Sequence, residues 1–205
     1  MRVLNCYAGI GGNRHLWPTD WEITAVELDE RVAAEYARRY PADVVLVEDA
    51  HAYILKHAHE FDAVWTSPPC PTHSRLANNV AKRAGVDPEP DPRLWEEIEH
   101  LQALGGRYVV ENVHVYYEPP ITPDLVTDRH WYWMSAPPVM LNPIEVGVAL
   151  GARTTAAQYA EAYGLPPLAL GAVGDSRKAM RNAVVPAEGL EIALAAFTAE
   201  ISVEA

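Results

Sequence analysis

"RVLNCYAGIGGN", residues 2–13, decides the fold. Its first half is an apolar run that reads as a buried strand, and its second half breaks into Gly9, Gly11 and Gly12. A strand running straight into glycines predicts a strand-to-helix turn whose backbone can come close to a ligand. In doubly wound sheets that turn lines the ligand crevice. On the glycines alone a plain tight turn would read the same way, so the segments further along the chain have to choose.

Outward from this stretch, strands and helices alternate. "WEITAVE" (21–27) reads as a second strand, and "DERVAAEYARRY" (29–40) as a helix that Asp29 can cap, with Val32, Tyr36 and Tyr40 at the helical period. "DVVLVED" (43–49), "FDAVWTS" (61–67) and "RYVVENV" (107–113) read as strands three to five, and "HWYWMS" (130–135) as another. "DPRLWEEIEHLQALGG" (91–106) is a helix with Pro92 near its start and glycines past its end. "PAEGLEIALAAFTAEI" (186–201) is a C-terminal helix with an apolar stripe. The strands are apolar throughout rather than alternating, which predicts an α/β fold: a doubly wound, mostly parallel sheet covered on both faces. Residues 116–130 and 135–154 are Pro-rich and carry no clear period.

The bulk numbers bound the rest. The 205 residues suit a single domain over 1–205; 49% are apolar and 21% charged, ordinary for a globular protein. No apolar run is long enough to span a membrane, and "MRVLNCYAG" turns glycine-rich too early for a signal peptide, so a cytoplasmic protein with reduced thiols is expected. Two cysteines and eight scattered histidines show no metal-ligand spacing, and no metal is expected. The net charge of −12 opposes nucleic-acid binding over the whole surface. Two local basic strips remain: residues 72–86, with Ser74, Arg75, Lys82 and Arg83, and "DSRKAMRN" (175–182), with Arg177, Lys178 and Arg181.

Glu27 ends the second strand, 18 residues after Gly9, where a carboxylate can accept hydrogen bonds from ribose hydroxyls. Asp49 ends the third, within reach of an adenine amino group. Glycine turn and two strand-end acids in this order point to an adenosyl ligand, S-adenosylmethionine or a dinucleotide; no Gly-Lys-Ser/Thr follows, which excludes a P-loop. "TSPPCPTHS" (66–74) follows the fourth strand, and its Pro68, Pro69 and Pro71 stiffen a loop that holds Cys70. Glu111 ends the fifth strand. Parallel strand ends open on one edge, so Cys70, Glu111 and the glycine turn are expected in one crevice, the thiol as a nucleophile and the carboxyl as a hydrogen-bonding partner for a ring nitrogen.

With these residues in place the chain resembles the cytosine-5 DNA methyltransferase family over nearly its whole length. "NCYAGIGG" is similar to the family's Phe-Ala-Gly-x-Gly-Gly loop, "VELD" to its ribose-binding segment, and "EDAH" to its adenine-contacting segment. "SPPCP" is similar to its Pro-Cys loop, "ENV" to its Glu-Asn-Val signature, "DRHWYW" to its arginine-bearing strand and "RNAVVP" to its closing motif. The resemblance implies a Rossmann-like methyltransferase fold, S-adenosylmethionine as cofactor, DNA as partner, and methyl transfer to carbon 5 of a flipped-out cytosine through a covalent adduct. It implies Cys70, Glu111 and Arg129 as catalytic residues. For the cofactor it implies Tyr7, Ala8, Gly9, Gly11, Gly12, Glu27, Leu28, Asp49, Ala50, Pro69, Asn182 and Val184. The basic strips would then hold DNA phosphates. Pro71, Arg181 and Trp131 depart from the family's Gln, Gly and second Arg. Only 52 residues separate Arg129 from Asn182, so residues 130–181 would be a reduced target-recognition segment, as in compact phage-like forms, reading a short site. Two alternatives stay open: the same chemistry on RNA or a free cytosine nucleotide, and a catalytically silent DNA-binding or regulatory module. Cys6 is expected in the core, and Trp131 and Trp133 either in the core or stacked on bases.

Overall fold

The computed structural model describes residues 1–86, 89–136 and 153–199. Strand β1 (Arg2–Cys6) lies inside a seven-stranded sheet of order β3-β2-β1-β4-β5-β7-β6. Strands β2 (Glu22–Val26), β3 (Val44–Leu46), β4 (Ala63–Thr66) and β5 (Arg107–Val113) continue it in parallel. Strands β6 (Leu125–Val126) and β7 (His130–Met134) close one edge, with β7 antiparallel to both neighbours. The fold is therefore the doubly wound, mostly parallel α/β sheet expected. The exceptional β7 is reached from β5 through residues 114–129, which carry only β6.

Both faces of the sheet are covered, which is why the strands read as apolar throughout. Val3, Trp65, Val109 and Tyr132 face one layer, with Trp17, Trp21 and, from helix α7 (Pro186–Thr198), Ile192, Ala196 and Phe197. Their neighbours Leu4, Val64, Val110 and Trp133 face the other, with Ile54 of helix α2 (Ala50–His57) and Leu94, Ile98 and Leu101 of helix α4 (Arg93–Leu104). Successive strand residues point to opposite faces, so each strand feeds both layers. Trp133 and Cys6 are fully buried, which makes both core residues.

Helix α1 (Glu30–Arg39) is capped by Asp29, whose side chain accepts from the Arg31 and Val32 amides, and α4 ends on left-handed Gly105. The sequence reading had no helix at α2, at α3 (Arg75–Arg83), at α5 (Ala156–Tyr163) or at α6 (Ser176–Asn182). Each is short, and three of them carry side-chain caps: Asp49 caps α2, Thr155 and Gln158 form a capping box on α5, and Asp175 caps α6. Of the segment 130–181, residues 130–134 are β7 itself, 153–181 carry α5 and most of α6, and 137–152 lie outside the described residues. Tyr159, Tyr163 and Met180 from α5 and α6 pack with Ile10 of the glycine loop.

Candidate active site

The register sets the site. Leu46, Val26, Cys6, Thr66 and Val110 form one row across β3, β2, β1, β4 and β5. One residue beyond that row the chain carries Glu27, Tyr7, Ser67 and Glu111, so the glycine loop, the first acid and the Cys70 loop leave the sheet along one edge, beside Glu111, which β5 still holds opposite Tyr132.

The three glycines have different surroundings. Gly9 is left-handed at φ +55°, and a Cβ there would meet nothing nearer than the Tyr7 carbonyl oxygen at 3.9 Å. Its amide donates to Glu27 Oε2 at 3.0 Å, while Glu27 Oε1 accepts from the Asp29 amide at 2.9 Å. Gly11 and Gly12 are closed on the side where a Cβ would project. A Cβ on Gly11 would lie 2.3 Å from Tyr40 Cε2, and one on Gly12 would lie 2.5 Å from the Val184 carbonyl oxygen. Glycine at these two positions lets helix α1 and the turn after α6 pack on the loop. Val184 itself is core, 5% exposed. Leu28 is 66% exposed beside Glu27, and Asp49 uses one oxygen to cap α2 through the Ala52 amide at 3.0 Å. Ala50 is buried in the first turn of that helix.

Tyr7, left-handed at φ +53°, donates its hydroxyl to Glu97 Oε1 at 2.7 Å. Glu97 is fully buried on α4 and accepts also from Thr66 Oγ1 at 2.7 Å; burial raises its pKa against these hydrogen bonds. This anchor beneath the loop was not legible in the sequence, where Glu97 is one of several glutamates on α4.

Cys70 lies in a tight turn whose carbonyl accepts from the His73 and Ser74 amides at 3.1 and 3.0 Å. Asn112, next to Glu111, clamps that turn to the sheet: its Nδ2 donates to the Pro68 carbonyl at 2.9 Å. Burial raises the Cys70 pKa, and Glu111 raises it further, against smaller opposing effects of Arg181 and Lys178. Those influences put Glu111, Arg181 and Lys178 within electrostatic reach of the thiol. Glu111→Gln should therefore lower the thiol's pKa and speed iodoacetamide labelling of Cys70 severalfold at mildly alkaline pH; an unchanged rate would separate the two groups.

Arg129, expected among the catalytic residues, has its described contacts on α5 and α6. Arg129 donates to the Tyr163 hydroxyl and to the Arg181 carbonyl (2.8 Å), so it ties α5 and α6 to the sheet. Its neighbour His130 has Nε2 3.5 Å from Glu111 Oε1. Strand parity explains this contact: Glu111 pairs with Tyr132, and His130, two residues before Tyr132, shares its face. Arg177 is likewise engaged, donating Nε to the Thr154 carbonyl at 2.7 Å. Lys178 is exposed; Arg181 is half-buried beside exposed Asn182. On α3, Lys82 sits over the Tyr116 ring at 5.9 Å, beside a cavity of about 300 Å³ lined with Asn78 and Asn79; Arg83 is exposed, and the side chain of Arg75 lies outside the described part of that helix. Trp131 is half-buried against His114 at 5.6 Å. Among the described residues no group of three His, Cys, Asp or Glu side chains could hold a metal, and no helix is long and apolar enough to cross a membrane.

No protein-family model matches the chain, and no curated protein matches it. Among solved structures it is similar to a protein described as a DNA modification methyltransferase encoded within an E. coli prophage: 20% identity, TM-score 0.39, 58% of this chain and 33% of that one. It is similar to a mutant of Spodoptera frugiperda DNMT2 at 25% identity and TM-score 0.41, over 55% of this chain and 35% of that one. A hypothetical protein of Thermus thermophilus aligns at 20% identity and TM-score 0.42, over 65% of this chain and 73% of that one. The chain spans about a third of the length of the first two. At these TM-scores the likeness carries no functional argument.

Proposed function

We propose that this protein is an S-adenosylmethionine-dependent methyltransferase that modifies carbon 5 of cytosine in DNA. The observation that carries the reading is a loop-fixed thiol, Cys70, within electrostatic reach of the β5 carboxyl Glu111, on the sheet edge that also bears the Gly9–Glu27 turn. Cytosine carbon 5 is a weak nucleophile, and a thiolate added at carbon 6 makes it enamine-like. Cys70 is the group placed to add. Glu111 would hold ring nitrogen 3 and protonate it as charge moves into the ring. Arrival of the base also displaces water from the thiol's surroundings.

The cofactor fits the open face of Gly9, the Glu27 carboxylate, one free oxygen of Asp49 and the exposed Leu28 side chain. When bound it supplies an electrophilic methyl group. Glu27 already spans the Gly9 and Asp29 amides, so it would orient a ribose and brace the loop together. Glu27→Ala should weaken cofactor binding by about 1–3 kcal/mol in calorimetry, the cost of leaving polar partners unpaired; unchanged affinity would remove Glu27 from the cofactor site.

The target base has to leave its stack. Lys178, Arg181, Ser74 and the basic end of α3 are the groups available to phosphates, and with so few contacts the protein would read a short site. Incubation with labelled cofactor and a panel of duplex DNA, single strands, transfer RNA and dCMP, followed by nucleoside mass spectrometry, tests the proposal. 5-Methyldeoxycytidine from DNA is expected. Product only from RNA or dCMP would reassign the substrate, and no product would leave a binding module.

A further inference from the structure

His130 is buried at 5% exposure, with a carboxylate on each side of its ring. Nε2 lies 3.5 Å from Glu111 Oε1, and Nδ1 lies 3.8 Å from Glu188 Oε1. Glu188 sits in the first turn of α7 and cannot swing away: its Oε1 accepts from the Tyr132 hydroxyl at 2.8 Å and from Thr127 Oγ1 at 2.9 Å. A neutral imidazole has one N–H, so one ring nitrogen would turn a lone pair toward a carboxylate; the imidazolium satisfies both sides. We propose that His130, held between Glu111 and Glu188, is the positively charged positioning residue of this site, orienting the Glu111 carboxyl and supplying the proton that Glu111 passes to the base. The inference rests on the cytosine reading above.

The step balances. The Cys70 thiolate, its proton lost to solvent, bonds to carbon 6, and the ring π electrons move onto nitrogen 3. That nitrogen takes a proton through the Glu111 carboxylate as His130 Nε2 gives up its own. After methyl transfer, solvent water takes the carbon 5 proton, the electrons of that bond re-form the carbon 5–carbon 6 double bond, the thiolate leaves carbon 6, and the nitrogen 3 proton returns through Glu111 to His130. The groups around the ring agree with this. Burial opposes the imidazolium, and so does Arg129, but Glu111 and Glu188 outweigh both and raise the His130 pKa above its ordinary value. Burial likewise works against an ionised Glu188, yet His130, Tyr132 and Thr127 hold its pKa below the usual carboxylate range. Tyr132, the remaining titratable group on the ring, is pushed far up by burial and stays neutral.

The test is His130→Gln in the full chain, assayed for methylation of cytosine DNA across pH. The expected result is a kcat lower by about 10²-fold, with KM for DNA and cofactor affinity unchanged. The bell-shaped pH profile of the wild type should lose its descending limb, because no imidazolium remains to be lost. A merely structural histidine would move stability and leave the shape of the profile alone. Should that variant not fold, Glu188→Gln keeps the histidine and lowers its pKa, and the pH optimum should shift to lower pH. Wild-type kcat and profile in His130→Gln, or an unmoved optimum in Glu188→Gln, overturns the proposal and leaves the cytosine reading standing. A wild type that methylates no cytosine overturns both.

Discussion

Cys70→Ala is expected to lower methyl transfer by on the order of 10⁴-fold or more, the scale seen when a nucleophile is deleted from a site that acts as a unit. It should leave the fold and cofactor affinity intact. The turn that carries the thiol is held by backbone bonds from His73 and Ser74 to the Cys70 carbonyl and by Asn112 on the Pro68 carbonyl, none of which involves the sulfur. The readout that separates nucleophile from bystander is covalent. DNA carrying 5-fluorocytosine has fluorine in place of the carbon 5 proton, which blocks the elimination, so the wild type should remain attached and run as a shifted band on a denaturing gel. Cys70→Ala should give no such band, while Cys6→Ala, deep in the sheet, should still trap. Because burial and Glu111 raise the pKa of Cys70, little thiolate exists at neutral pH, and trapping should accelerate as pH rises toward the thiol's ionisation. A wild type that methylates DNA yet never traps would remove the covalent step.

Gly12→Ala is the substitution expected to cost most stability, about 3 kcal/mol. The added methyl carbon would stand 2.5 Å from the Val184 carbonyl oxygen, 3.2 Å from the Val184 nitrogen and 2.8 Å from the Ala183 methyl carbon. Two of these are backbone atoms of the turn that enters α7, so no flexible side-chain tip can yield. Helix α7 itself is seated on the same loop, since a Cβ on Gly189 would meet Asn13 at 2.7 Å and the Gly189 carbonyl accepts from Trp17 Nε1 at 3.1 Å. The methyl group must therefore part the glycine loop from α7. Gly174→Ala is the matched control: its φ is not left-handed and no atom lies within 4 Å of a Cβ there, so a change within about 0.5 kcal/mol is expected. Urea denaturation measures both, with a lower midpoint and unchanged m-value for Gly12→Ala. Equal stability of the two variants would contradict the close packing of the loop on α7.

Periodicity and strand ends were legible in the chain without coordinates. The apolar runs of β1, β2, β4 and β5 need burial on two faces, and only a helix-covered, mostly parallel sheet provides it. Once the strands are parallel their C-terminal ends share an edge, so the placement of Gly9, Glu27, Cys70 and Glu111 followed from order along the chain. The short helices α2, α3, α5 and α6 were not legible, because fewer than about three turns carry little periodic signal and depend on caps and neighbours.

Which side chains meet across strands and layers was decided by tertiary structure alone. The motif likeness pointed to Arg129, yet the antiparallel register of β7 turns its neighbour His130 to Glu111 and sends Arg129 to Tyr163. A shift of one residue reverses the face of every side chain in a strand, and nothing local to "DRHWYW" encodes the pairing with β5. Glu188 reaches Thr127 from 61 residues away, and Glu97 reaches Tyr7 from 90. The glycines divided in the same manner: all three stand in one short motif, but α1 and the α6–α7 turn close on Gly11 and Gly12 and leave Gly9 open. Local sequence sets each element's period and the order of its ends, whereas register and layer packing depend on segments far apart in the chain.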